Sequence, residues 1–206
     1  MLYPFFKVLC QIIFLLTGGI KVYGKENILK KGPFVLIANH QSIIDPLVLM
    51  ACLPRKITFL AASYLFKIPI VGLIIWAGGA IPINDPKGDF KHIQQALAKL
   101  EDGEAIGIFP EGGVSLDGKL KEFMPGWAYF ALKSGAPIIP VAISGSRKVL
   151  PVGHYLLRPG KIVVNIGEPI LMDKKTRIRS SDLKKLSESM EKIVFRLLYQ
   201  VERKQG

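Results

Sequence analysis

Short apolar runs alternate with stretches of helical period along most of this chain, the pattern of strands and helices taking turns around a sheet. Phe34-Val35-Leu36-Ile37-Ala38, Ile57-Thr58-Phe59-Leu60-Ala61 and Ala105-Ile106-Gly107-Ile108-Phe109 read as buried strands, and Ala80–Ile83, Pro137–Ile143 and Ile162–Ile166 as further ones. Pro46 fits the first turn of a helix over Pro46–Leu53. Phe90, Ile93, Gln94, Leu97 and Leu100 keep helical spacing, so Asp89–Glu101 is expected as an amphipathic helix ended by Gly103. Gly126–Ser134 reads as a helix closed by Gly135. Ser181–Arg203 reads as a long C-terminal helix with Leu183, Leu186, Met190, Ile193, Val194, Leu197 and Leu198 on its core-facing side. No repeat or low-complexity linker breaks the alternation. The expected fold is therefore α/β, a single domain with a mixed, mostly parallel sheet flanked by helices.

Two longer apolar stretches modify that picture. Leu2 to Ile20 is interrupted only by polar Lys7, Gln11 and Thr17 and is close to the roughly 20 residues that span hydrocarbon. Lys7 and the Gly18-Gly19 pair argue against a simple span. A signal peptide is the competing reading, but a basic start and an A-x-A-like cleavage site are missing. The expectation is a membrane-associated helix over residues 1–20 that inserts into or lies on one leaflet, followed by a domain over 21–206. The second stretch, Leu65 to Ile83, includes Ile70-Val71-Gly72-Leu73-Ile74-Ile75-Trp76 and reads as a core helix, with Trp76 available to a lipid interface.

Composition points the same way. Hydrophobic residues are 50% of the 206, yet the formal net charge is +12. A basic and apolar chain suits an anionic membrane surface, where each Lys or Arg near the surface contributes about 1 kcal/mol. Nucleic acid is the other partner of basic proteins, but no recognisable motif and no basic stripe interleaved with aromatics supports it. The expected location is the cytoplasmic face of the cell membrane. Cys10 and Cys52 sit in apolar segments and make no disulfide framework. Without C-x2-C, H-E-x-x-H or clustered acids no metal is expected, and without a Walker loop or a dinucleotide fingerprint no nucleotide cofactor.

The candidate chemistry lies where the apolar runs end. Asn39-His40-Gln41-Ser42-Ile43-Ile44-Asp45-Pro46 puts a histidine just past one strand and a carboxylate at the following helix start. Held by a carboxylate on one nitrogen, an imidazole can take a proton from a substrate hydroxyl with the other. Taken alone, the spacing fits a loop histidine and a helix-capping aspartate equally well. A second strand end changes the balance: Phe109-Pro110-Glu111-Gly112-Gly113 carries a single acid at its tip, and open α/β sheets build sites at strand carboxyl ends. The loop from Ser115 to Lys121 beside Glu111 is where acceptor contacts are expected. His92, with no carboxylate at i−4 or i+4, and His154, in Gly153-His154-Tyr155, are read as surface histidines.

These blocks resemble the glycerolipid acyltransferases. Asn39-His40 to Asp45 is similar to that family's N-H-x4-D block, and Phe109-Pro110-Glu111-Gly112 to its F-P-E-G block. Gly78 to Ile83 falls where its middle block does, and Ala136 to Ala142 is similar to its proline-flanked last block. The resemblance implies transfer of an acyl group from an acyl-carrier-protein or coenzyme A thioester to a lysolipid hydroxyl. No cofactor is implied beyond that co-substrate. His40 is then the general base, Asp45 its orienting partner, and Glu111, Gly112, Gly113, Ser115, Lys119 and Lys121 the acceptor-binding set. The absence of a G-x-S-x-G elbow fits direct attack without an acyl-enzyme. Two positions depart from the family pattern. Gly113-Val114 stands where Thr-Arg is usual, and Asn84-Asp85 follows Ile83 where the middle block usually ends in arginine. Arginine grips phosphate bidentately, so the acceptor phosphate is held by other cations, with Lys87, Lys119, Lys121, Arg147 and Lys148 nearby in sequence, or it is absent. The expected acceptor is 1-acyl-glycerol 3-phosphate. The alternatives are a lysolipid without the glycerol phosphate head, or a non-catalytic lipid-binding protein of the same fold.

Overall fold

The computed structural model describes residues 2–68, 72, 75, 76, 78–83 and 90–203. The apolar run before His40 becomes β2 (Phe34–Ala38), an inner strand of a seven-stranded sheet with every residue buried. Phe34, Leu36 and Ala38 face one core and Val35 and Ile37 the other, which is why the run has no polar member. The other strands are β1 (Ile20–Tyr23), β3 (Ile57–Ala62), β4 (Ile81–Ile83), β5 (Ala105–Ile108), β6 (Ile138–Ser144) and β7 (Ile162–Ile166). Their order is β1-β7-β6-β2-β5-β3-β4. Every neighbouring pair is parallel except β6 with β7. The α/β fold with a mixed, mostly parallel sheet is the one expected.

Helices cover both faces. α1 (Leu2–Thr17) and α2 (Asp45–Cys52) pack on one side, where Cys10 and Phe14 meet Val48 and Leu49 over Phe34 and Leu36. α3 (Phe90–Glu101), α4 (Ala128–Ser134) and α6 (Ser180–Arg203) pack on the other, and α5 (Ser146–Val149) is a single turn after β6. On α6, Met190, Val194, Leu198 and Val201 are buried, close to the expected stripe.

Three sequence expectations change. His92 is not a surface residue: α3 is rotated so that His92, Ala96 and Leu100 form its buried line, while Phe90 is left exposed. The apolar N-terminal stretch stops short of Ile20. Gly18 (φ +127°) and Gly19 (φ +82°) end α1, and Ile20 opens β1, an edge strand paired to β7. A side chain at Gly18 would also collide with the Gly160 carbonyl, 2.7 Å from an added Cβ. Two polar residues of α1, Lys7 and Gln11, reach across to α2. Lys7 donates to the Leu53 carbonyl and Gln11 to that of Ala51, satisfying the C-terminal end of α2. The outward face is apolar instead, with Phe5, Val8, Leu9, Ile12, Leu15 and Leu16 exposed. No described helix is long and apolar enough to cross a membrane. Asn84, Asp85, Lys87 and most of the helix expected within Leu65–Ile83 lie outside the described residues.

Candidate active site

Parallel strands carry their carboxyl ends to one edge of the sheet, and the site assembles there. Just past β2, the Asn39 side chain continues the ladder to β6: its amide donates to the Ile143 carbonyl (2.9 Å) and its oxygen accepts the Ile143 N–H (2.7 Å). This pins the point from which the chain turns into His40. Asp45 Oδ2 then accepts three donors, the main-chain N–H groups of Gln41 (2.7 Å) and Ser42 (2.8 Å) and His40 Nδ1 (2.9 Å). Ser42 Oγ donates to the Leu150 carbonyl (2.7 Å), tying the same turn to the segment after α5. Asp45 is fully buried, and its Oδ1 has no hydrogen-bond partner among the described residues. An ionised carboxylate only accepts, so Nδ1 carries the proton and Nε2 presents a lone pair. The His40 side chain is 15% exposed, enough for Nε2 to meet a substrate.

The imidazole also has a floor. Its ring stacks on Phe109 at 4.1 Å and 19°, and Phe109 stacks on Phe59 at 5.5 Å and 11°. Gly107 makes room for this stack, because an added Cβ would lie 2.4 Å from Phe59 Cε1. The strand runs contain all of these residues, but nothing in a linear pattern singles out the two phenylalanines from ordinary core.

Glu111 is brought to His40 in an unexpected way. Its Oε1 accepts the His40 main-chain N–H (2.7 Å) and its Oε2 that of Lys121 (3.0 Å). The buried carboxylate thus clamps the His40 turn to the far end of the 112–121 loop. Burial pushes the Glu111 carboxyl above its ordinary value, opposed by the two amide hydrogen bonds and the nearby His40 and Lys121 charges. Gly112 turns with φ +71° directly beneath Met124, while Gly113 has ordinary backbone and open space around it. Ser115 is fully buried: its N–H donates to the His40 carbonyl (2.8 Å), and its hydroxyl accepts from Gly118 N and reaches Lys119 O and Asp117 Oδ1. Gln41 Nε2 closes the arrangement on Gly118 O (3.2 Å). Lys121 Nζ donates to Val114 O, and Lys119 lines a groove of about 610 Å³ between the loop and α6, beside Lys192 and Phe195. Of the other cations, the Arg147 guanidinium lies against Gly118, and the described residues offer it no carboxylate.

Both thiols are passive: burial raises Cys10 and pushes Cys52 up to about 12. The described residues contain no group of three His, Cys, Asp or Glu side chains able to hold a metal ion.

A family model described as Acyltransferase matches residues 19–144, which take in the His40 turn, the Glu111 turn and the strand after Pro137. The chain belongs to the acyltransferase family. Its members include the 1-acyl-sn-glycerol-3-phosphate acyltransferase of Bacillus subtilis, 32% identical over 82% of this chain and 82% of that protein. The chloroplastic enzyme of the same name from Arabidopsis thaliana is 30% identical over 92% of this chain. This chain spans about half the length of that relative, 51%. The acyltransferase fold is also that of the 1-acyl-sn-glycerophosphate (LPA) acyltransferase PlsC from Thermotoga maritima. Its crystal structure matches with a TM-score of 0.77 at 29% identity, covering 96% of this chain and 79% of that one.

Proposed function

We propose that this protein is an O-acyltransferase that moves a fatty acyl group from an acyl thioester to the free hydroxyl of 1-acyl-glycerol 3-phosphate, giving phosphatidic acid. The observation that carries this reading is the His40–Asp45 pair, held at 2.9 Å on the carboxyl edge of the sheet, with Nε2 unpartnered among the described residues. His40 Nε2 accepts the proton of the acceptor hydroxyl as its oxygen attacks the thioester carbonyl carbon. The buried Asp45 carboxylate stabilises the imidazolium that forms. Collapse of the tetrahedral adduct breaks the C–S bond, and the leaving sulfur takes the proton back from His40. The products are an ester and the free thiol of the carrier, acyl carrier protein or coenzyme A, and no acyl-enzyme forms. The names of the relatives support the acceptor, and the passive thiols agree with direct transfer.

Glu111 acts by position. Its ionised carboxylate accepts from His40 and Lys121 together, so it keeps the base and the acceptor loop in register. Gly112, Gly113, Ser115 and Lys119 shape the acceptor side of that loop, and Lys121 and Arg147 supply charge near it. Membrane attachment follows from α1, whose apolar outer face lies in the headgroup region at the cytoplasmic surface while Lys7 and Gln11 stay on α2.

Gly113-Val114, in place of the usual Thr-Arg, supports a second reading in which the acceptor lacks the phosphate. The test is acyl transfer from a labelled long-chain thioester to lysophosphatidic acid and to a phosphate-free lysolipid, with His40→Ala in parallel. Transfer abolished by His40→Ala establishes the reaction, and the preferred acceptor chooses between the readings. No His40-dependent transfer to either acceptor from protein that still binds lipid rejects both.

A further inference from the structure

The loop between α5 and β7 lies outside the set of site residues described above, yet it carries Tyr155, the most exposed large apolar residue of the described chain, with three other exposed apolar side chains beside it. Tyr155 is 95% exposed and Leu156 81%, and Val152 and Leu157 are exposed beside them. The loop is nevertheless well anchored at its base. Val149 and Leu150 are buried in the same core as α1, Arg158 N–H donates to Val149 O (2.8 Å), and His154 N–H closes the tip on Pro151 O (3.1 Å). Only the tip projects. An anchored projection of large apolar side chains costs a water-facing protein solubility, so it marks a contact surface.

Its neighbours identify the contact. β7 runs antiparallel to β6, so the loop returns at the edge where β2 delivers His40. Gly160 N–H donates to Thr17 O (2.6 Å) and Ile162 N–H to Gly19 O (3.1 Å), so the loop lies against the end of α1, beside exposed Leu15 and Leu16. Charge sets this surface apart. Residues 1–21 and 145–161 contain Lys21, Arg147, Lys148, Arg158 and Lys161 among their cations and no Asp or Glu. On the opposite layer α6 mixes Asp182, Glu188, Glu191 and Glu202 among its basic residues, as a water-facing helix does. Apolar tips among cations, with carboxylates absent, fit one occupant, an anionic lipid surface.

We propose that the 151–158 loop is a second bilayer-contacting element, which lays Val152, Tyr155 and Leu156 into the headgroup region beside the outer face of α1. The proposal rests on the membrane reading of α1 given above. Two contacts fix orientation where one helix leaves the protein free to roll about its axis. Ser42 ties the His40 turn to Leu150 at the base of the loop, so the orientation set is the one that turns the carboxyl edge of the sheet toward lipid. The acceptor then reaches His40 without leaving the membrane surface.

The experiment is co-sedimentation of the full chain with phosphatidylcholine vesicles, with and without phosphatidylglycerol. The variants are Tyr155→Ser/Leu156→Ser in the loop and Leu15→Ser/Leu16→Ser in α1, each checked for a wild-type thermal transition. Losing two large apolar contacts lowers the loop variant's partition onto anionic vesicles roughly tenfold or more. If the serine pair disturbs folding, Leu156→Trp serves instead, and quenching of its emission by lipids with brominated acyl chains, above that of wild type, supports the contact equally. A loop variant that partitions like wild type, or a Leu156→Trp signal that brominated lipid leaves unchanged, while the α1 variant is released, overturns the proposal and leaves the α1 reading intact. Wild type that ignores both kinds of vesicle removes the α1 reading, and this proposal with it.

Discussion

Replacing Asp45 by asparagine tests the dyad with little change of shape. Asp45 Oδ2 accepts from Gln41, Ser42 and His40 at once, whereas Oδ1 has no partner among the described residues. An asparagine must therefore put its oxygen at the Oδ2 position, because an NH₂ there would face two main-chain donors. The imidazole keeps its tautomer, and what disappears is the charge that stabilises the imidazolium. At an effective dielectric constant near 20, opposite charges about 3–4 Å apart attract by about 4–6 kcal/mol. The neutral amide recovers part of that through its dipole, leaving a net loss of about 2–4 kcal/mol in the transition state. At 1.36 kcal/mol per decade, kcat should fall roughly 30- to 1,000-fold. The new amide N–H₂ is a buried donor without an acceptor, so stability should fall by about 1–3 kcal/mol. The assay is acyl transfer under saturating acceptor, with binding of the variant to acceptor-bearing vesicles measured beside it. Turnover within threefold of wild type would refute the charge argument, and loss of binding in step with turnover would make Asp45 a purely structural residue.

Four other results are expected. Burial raises the Glu111 carboxyl, so the native state binds its proton more tightly than the unfolded chain. Its contribution to stability is therefore greatest below the ordinary glutamate value of about 4.3 and is lost as pH rises through the raised folded value. Denaturant unfolding of wild type and Glu111→Gln across that window should show wild type losing ground to the variant with rising pH; the opposite trend refutes the assignment. Above the window Glu111→Gln should still be less stable by about 1–3 kcal/mol, since its NH₂ cannot accept from one of the two amides. With Cys52 near 12 and Cys10 raised, maleimide at neutral pH should leave acyl transfer intact, and inactivation in proportion to labelling of the folded protein would contradict this. Gly113 has open space and ordinary backbone, so Gly113→Thr with Val114→Arg should fold normally and raise kcat/KM for a phosphate-bearing acceptor roughly tenfold. Unchanged selectivity would mean that the loop does not meet the head group.

The His40–Asp45 pairing was legible because it is local. His40 and Asp45 are five residues apart, and a proline at the following helix start leaves the turn between them little freedom. The two-faced burial of β2 was legible for the same reason, as an unbroken apolar run. What escaped the linear pattern depends on long-range partners. β1 is short, partly exposed and follows two glycines, so its identity as a strand comes only from β7. Lys7 and Gln11 looked like flaws in an apolar helix until α2 supplied carbonyls for them. His92 was read as a surface residue for want of a neighbouring carboxylate, yet it shares the buried line of Ala96 and Leu100 on α3. The two amides that Glu111 accepts, those of His40 and Lys121, are likewise long-range or loop partners that no linear pattern announces.

The pairing of β1 with β7 has a consequence for the order in which the molecule is assembled. Among the described strands β1 is the first in chain order and its partner β7 the last, and Asn27 likewise waits for the Ile166 carbonyl, 139 residues further along. Through that interval α1 and α2 can already pack together, with the apolar outer face of α1 uncovered and adhesive. On the membrane reading proposed above, the nascent chain presents its lipid-contacting face well before its sheet can close, so attachment to a bilayer can precede completion of the fold.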